Sequence, residues 1–234
     1  MKSNNLFEFD KEFDAGFVIG TDEAGRGPGA GGVFASAVYF TDPNNELIEK
    51  LSCLNDSKKL SAKKREELYD IIIANTINST VCIEVEEIEK INILNSSLKA
   101  MRLAVENVIA LCPPLEGGPK LCNNFEGGVK KESNILTLVD GNKLIKEFKY
   151  PQKFIIKGDG KSASIAAASV LAKVSRDRYM QELHERFPMY NWKQNAGYLT
   201  PEHLEMIEKY GISPHHRKSF LKGRNTKQLS LLGT

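Results

Sequence analysis

Residues 17–32 read FVIGTDEAGRGPGAGG, and the fold turns on this stretch. The apolar run Phe17-Val18-Ile19 carries the backbone into two adjacent acids, Asp22 and Glu23, and then into a glycine-dense turn whose only cation is Arg26. A short apolar run bounded by turn residues predicts a buried strand. The acids then fall at the strand's C-terminal end, where open α/β sheets put their sites. Two neighbouring carboxylates repel each other and resist losing water, so folding gains little from them. A hard divalent cation would remove that penalty. Strand-ending acids more often just begin a polar loop, but glycines crowded around one arginine favour a site.

Outward from there, VFASAVYF at 33–40 is rich in β-formers and predicts a second strand paired to the first. Asp42-Pro-Asn-Asn marks a turn, with a short helix near 46–53. The next helix is expected to be capped by Ser61, with Leu68, Ile71 and Ile72 at helical spacing and Lys63, Lys64 and Arg65 on a solvated face. A third strand is expected near 80–86. SSLKAMRLAVENVIAL at 96–111 predicts an amphipathic helix capped by Ser96 or Ser97. Pro-Pro and two Gly-Gly pairs between 113 and 133 predict a surface insertion. ILTLV at 135–139 reads as a buried strand ending in Asp140, and KFIIK at 153–157 as another that delivers Asp159. A long helix then starts near Ser162 and is broken by Pro188; its first half is small and apolar all round, the mark of burial against a sheet. Residues 189–200 are expected as a loop and 201–210 as a final helix ended by Gly211. Residues 1–16 read as a ragged lead-in and the last dozen as a frayed tail.

At 234 residues, 41% hydrophobic and 26% charged, the chain suits one soluble domain with an extension. A net charge of +2 excludes a wholly basic nucleic-acid coat and leaves room for local basic clusters. Cys53, Cys82, Cys112 and Cys122 form no CxxC pair, so neither a zinc site nor a disulfide framework is indicated. No apolar stretch reaches membrane-spanning length, and MKSNNLFEFDKEFD is too acidic for a signal peptide, so a cytoplasmic location is expected. No apolar patch demands a partner, and a monomer is expected.

Three strand ends thus carry acids: Asp22-Glu23, Asp140 and Asp159. Strands alternating with helices, after an early hairpin, give a mixed α/β sheet. If the strands ending at 22 and 140 are parallel neighbours, their acids converge. Carboxylates without histidine or cysteine nearby call for Mg²⁺ or Mn²⁺ rather than zinc. Such a cage typically holds two ions about 3.5–4 Å apart for in-line attack on phosphorus. Two decoys fail. GPGAGG at 27–32 matches the dinucleotide fingerprint GxGxxG, yet a strand rather than a helix should follow it. Gly160-Lys161-Ser162 looks like the end of a phosphate-binding loop, but its first glycine would fall at Ile155. The helix start at Ser162 and Ser164 can still attract a phosphate, with ordinary N-capping an equal alternative.

The blocks DEAGRGPGAGGV, NDSKKLSAKKREELY, VDGN, KGDGKSASIAAASVLAKVSRDR, NAGYLTPEHLEMI and GISPHHRKSF closely resemble the bacterial ribonuclease HII family in order and spacing, over most of residues 17–221. The insertion near 113–133 and the glycines Gly29, Gly31 and Gly32 depart from its pattern. The resemblance implies a ribonuclease H-like fold: a mixed five-stranded sheet flanked by helices, with a catalytic domain over 1–187 and a C-terminal helical extension over 188–234. It implies endonucleolytic hydrolysis, dependent on Mg²⁺ or Mn²⁺, on the 5′ side of a ribonucleotide in RNA–DNA hybrids and in duplex DNA with embedded ribonucleotides.

By the same matching, Asp22, Glu23, Asp140 and Asp159 would be the catalytic metal-binding acids, and Asp177 a structural residue partnered by Arg176 or Arg178. Gly25-Arg26-Gly27 would sense the 2′-hydroxyl, the one group that separates RNA from DNA locally. Glycine lets backbone groups approach it. Tyr198 would pack on the nucleotide beside the scissile bond. Lys58, Lys59, Lys161 and the cluster Arg217, Lys218, Lys222 and Arg224 would hold phosphates, positioning the duplex without reading bases. His203 is expected to pack or cap, and His215 and His216 to touch phosphates. The tail QLSLLGT has Gln228 and leucines but no aromatic pair, which leaves contact with a replication clamp open.

Overall fold

In a computed structural model that describes residues 5–54, 61–112 and 135–222, the decisive stretch is a strand, β1 (Phe17–Ala24), followed by β2 (Val33–Tyr39). GPGAGG therefore leads into a strand, and the dinucleotide reading fails as expected. Ile77–Ile83 (β3), Ile135–Asp140 (β4) and Gln152–Ile155 (β5) complete a five-stranded sheet in the order β3-β2-β1-β4-β5. β1 is antiparallel to β2 and parallel to β4, with Thr21 opposite Val139. One step further along this central pair come Asp22, still paired with Ser36 of β2, and Asp140, paired with Ile155 of β5.

Two helices close the faces. Ile93–Leu111 (α5) covers one with Met101, Ala104, Val105 and Val108 against Phe17, Ile19 and Val139. Ala163–Arg186 (α6) covers the other, its alanines packed with Val38 and with Leu68 and Ile72 of Ala62–Asn75 (α3). Each such buried Leu, Ile or Phe contributes about 1.5–3 kcal/mol. Small residues let α6 lie directly on β1: a Cβ on Gly20 would sit 2.2 Å from the backbone carbon of Ser164. A third cluster, Trp192, Tyr190, Met180, Leu183 and Ile207, gives the C-terminal helical region its own apolar centre.

Several boundaries differ from the sequence reading. The lead-in contains a helix, Asn5–Lys11 (α1), whose Asp10 accepts a 2.8 Å hydrogen bond from the Ser164 N–H at the start of α6. The third strand ends at Ile83, because Val85–Ile91 forms a helix (α4). α5 is capped by Asn92, and Ser96 and Ser97 lie buried inside its first turns. The short helix near 46–53 spans Asn45–Lys50 (α2), and Ser61 caps α3 as expected. The expected loop 189–200 holds a one-turn helix, Trp192–Asn195 (α7). Pro201–Tyr210 (α8) is not the final helix, since Lys218–Leu221 (α9) follows it. Lys58, Lys59, Cys122, the 113–133 insertion, Arg224 and Gln228 lie outside the described residues.

Candidate active site

At the C-terminal ends of β1 and β4 an open cleft of about 350 Å³ is lined by Asp22, Glu23 and Asp140 together with Gly25 and Tyr198. The sheet register makes the acids converge, and each is held by a short local contact. Asp22 is 5% exposed, and its carboxylate accepts the Glu23 N–H at 2.7 Å. Glu23 meets Arg26 at 3.0 Å. Asp140 accepts the Gly158 N–H at 2.7 Å. Burial, followed by repulsion from Glu23 and Asp140, holds the Asp22 carboxyl well above the ordinary carboxylate range. Glu23 is raised too, chiefly by burial, against the pull of Arg26.

Asp159 follows the Gly158 N–H bound by Asp140, on the 3-10 turn Gly158–Gly160, and is half-buried. It and the exposed Lys161 fall outside the cleft lining. Among the described residues no three His, Cys, Asp or Glu side chains form a ready-made metal cage. The donor set nonetheless fits a hard cation: it is all oxygen, partly desolvated and self-repelling.

Ser162 and Ser164 fall outside the cleft lining. Both are buried, their hydroxyls 3.0 Å apart, and Ser162 caps α6 by accepting the Ile165 N–H. The capping alternative therefore holds, and the acidic Asp10 sits where a phosphate would have docked. The expected phosphate role of Arg217 is likewise corrected: the side chain is fully buried. His216 is buried as well. Asp177 pairs with Lys173 instead of a neighbouring arginine, while Arg178 pairs with Glu66.

Sequence reading missed the other cleft walls. Ser169, Lys173 and Arg176 line it from α6, and Arg65 from α3. Spacing of four and then three along an otherwise small, apolar helix was the available signal, since such residues share a face. The largest omission concerns Arg217. Its Nε donates to the Gly31 carbonyl at 2.9 Å, Nη1 to Pro28 at 2.8 Å and Arg26 at 3.3 Å, and Nη2 to Gly25 at 2.7 Å and Gly32 at 3.1 Å. Arg176 adds bonds to the carbonyls of Ala30 and Ala196. Gly25 has φ +100°, and a Cβ there would lie 2.3 Å from Arg176 Nε, so only glycine fits. Tyr198, 54% exposed, stands over Gly27, whose added Cβ would come 3.3 Å from the ring.

A mixed sheet whose central parallel pair brings carboxylates together at one end, beside a glycine loop, defines a ribonuclease H-like protein. Solved structures share this fold. The ribonuclease H2 from Pyrococcus horikoshii OT3 superposes with a TM-score of 0.62 at 24% identity, covering 91% of this chain and 96% of that one. Bst-RNase HIII, solved in complex with Mn²⁺, gives 0.68 at 14% identity, covering 94% and 70%. The family model described as Ribonuclease HII matches residues 19–223. Ribonuclease HII of Fusobacterium nucleatum subsp. nucleatum is 45% identical over 220 residues, covering 94% of this chain and 91% of the relative. That of Rickettsia akari is 44% identical over 216, covering 92% and 97%. The chain belongs to the ribonuclease HII family, a family of ribonuclease H enzymes. Among the described residues no helix is long and apolar enough to cross a membrane.

Proposed function

We propose that the protein hydrolyses the phosphodiester on the 5′ side of a ribonucleotide, in RNA–DNA hybrids and in duplex DNA with embedded ribonucleotides. One observation carries the reading: Asp22, Glu23 and Asp140 line the same cleft as Gly25 and Tyr198. A group able to detect a ribose thus stands beside groups able to hold divalent ions. Asp22, Glu23 and Asp140 would hold Mg²⁺ or Mn²⁺, with Asp159 joining from the neighbouring turn. The Mn²⁺ in the Bst-RNase HIII structure supports that choice of metal class. Bound there, such ions would lower the pKa of an attacking water and offset the charge that develops on the leaving oxygen.

The chain's own residues do the rest. Gly25-Arg26-Gly27 offers backbone groups to the 2′-hydroxyl with no side chain in the way at either glycine. Tyr198 gives the adjoining sugar a flat face. Lys173, Arg65 and Arg176 set positive charge around the acids, which draws in a phosphate backbone that carboxylates alone would repel. Lys161 is exposed and free to reach a phosphate further along.

The test is a duplex with one ribonucleotide, incubated with Mg²⁺, Mn²⁺ or EDTA. A single nick 5′ to the ribose is expected, abolished by EDTA and by Asp140→Asn. Cleavage that persists in EDTA, or binding without any cleavage, would refute the reading.

A further inference from the structure

Arg217 uses all of its donors behind the glycine loop. A guanidinium has five N–H groups, one on Nε and two on each Nη. Five carbonyls, those of Gly25, Arg26, Pro28, Gly31 and Gly32, receive them. The chain around Arg217 is sewn to the same loop. Its N–H donates to the Gly29 carbonyl at 2.8 Å, and the His215 carbonyl accepts the Gly31 N–H at 2.9 Å. Among the described residues no carboxylate forms an ion pair with the guanidinium, though Glu89 is near enough to favour its charge; burial and the nearby Arg176 lower its pKa to about 10, so it stays charged at neutral pH.

This arrangement fixes which way the loop's peptide units face. In a trans peptide the C=O of one residue and the N–H of the next point in opposite directions. With the carbonyls of Gly25 and Arg26 drawn back onto Arg217, the N–H groups of Arg26 and Gly27 turn the other way. Arg217 lies buried behind the loop, while Gly25 and Tyr198 line the cleft in front. Among the described residues no protein group accepts either of these two N–H groups. They form a pair of donors turned away from Arg217.

Resting on the reading of this loop as the ribose sensor, we propose that Arg217 is its positioning residue, setting the Gly25–Gly27 peptides so that the N–H groups of Arg26 and Gly27 meet the 2′-oxygen. Lysine cannot substitute. Its ammonium has three donors and no planar fork, so at least two of the five carbonyls lose their partner and the peptides are free to turn. Small displacements of a recognition group are enough to lower turnover on the order of a hundredfold.

The test uses the full chain and its Arg217→Lys variant. kcat and KM are measured on a duplex with one ribonucleotide, and an all-DNA duplex is titrated in as a competitive inhibitor. The expected result is a loss of kcat/KM on the order of a hundredfold, with the inhibition constant of the all-DNA duplex unchanged. Equal weakening of both would mean that Arg217 serves general docking or folding, and unchanged kcat/KM would mean that it positions nothing; either overturns the proposal. Failure of the sensor reading is visible separately, as wild-type protein that nicks the all-DNA duplex as readily as the ribonucleotide duplex. Should the variant fail to fold, amide hydrogen exchange on the wild type decides. The Arg26 and Gly27 N–H groups should gain protection with the ribonucleotide duplex and not with the all-DNA duplex, and equal protection by both overturns the proposal.

Discussion

The acid corner and the arginine behind the glycine loop both bury charge, and they handle it in opposite ways. Arg217 has a carbonyl for every donor, so its positive charge is met chiefly by backbone dipoles. Asp22, Glu23 and Asp140 are left facing one another, and burial plus repulsion raises the first two. A fully satisfied buried charge fixes a shape. Acids that repel one another even with their hydrogen-bond partners in place gain from a bound cation, and perturbed acids gathered in a cleft mark a functional site for that reason.

The contrast is broken most severely at the acids. Asp140→Asn should lower cleavage about a thousandfold, corresponding to the several kcal/mol that a bound divalent charge supplies; initial rates in Mg²⁺ and Mn²⁺ check it. Asp22→Asn should be as inactive, yet more stable than the wild type in EDTA. The sign follows from the raised carboxyl: the folded state holds the proton more tightly, so its stability declines as pH rises from the ordinary 3.8 through the raised value. Asparagine removes that decline and keeps an oxygen for the Glu23 N–H. A gain of about 2–4 °C in Tm per kcal/mol relieved is expected, and melting curves from pH 4 to 8 should show the gap widening upward.

The C-terminal support should fail at the other end of the pH scale. His203 Nε2 faces the Trp192 Nε1–H at 3.0 Å and His216 Nε2 at 3.1 Å, while its Nδ1 meets the Tyr198 carbonyl at 2.8 Å. Burial, and then His203, push the His216 imidazole down to about 3. The unfolded chain takes up that proton near 6.5, so the contribution is complete above 6.5 and is lost as pH falls toward 3. Fluorescence of Trp192, the only tryptophan, should report the loss. Because the same chain of bonds holds the Tyr198 carbonyl, KM should rise in step with it. The smallest effect is expected at the surface: Glu66→Ala frees Arg178 and should change stability by less than about 1 kcal/mol.

Much of this was legible in the residues. Phe17-Val18-Ile19 ending in Asp22-Glu23, and ILTLV ending in Asp140, announced buried strands tipped with acids, because buried strands read as unbroken apolar runs; that they are parallel neighbours is shown only by the sheet register. The small apolar face of α6 announced a helix against the sheet. α1 was not legible: one amphipathic turn or two has too weak a period, and its burial depends on Asp10 meeting α6 more than 150 residues away. Ser162 and Ser164 looked alike as caps or phosphate binders, and only the position of Asp10 separates the two roles. Arg217 looked like one more cation in a basic tail, because sequence shows charge and says nothing of carbonyls brought from 185 residues earlier.

Binding of Mn²⁺ to the protein without nucleic acid tests the central claim most directly. Titrated calorimetrically at pH 7.5, the wild type should bind Mn²⁺, and its melting temperature should climb with metal concentration by mass action. Asp140→Asn should lose most of both effects. Equal binding and equal thermal shifts in wild type and Asp140→Asn would contradict the claim that these mutually repelling acids gather in the cleft to hold a divalent ion.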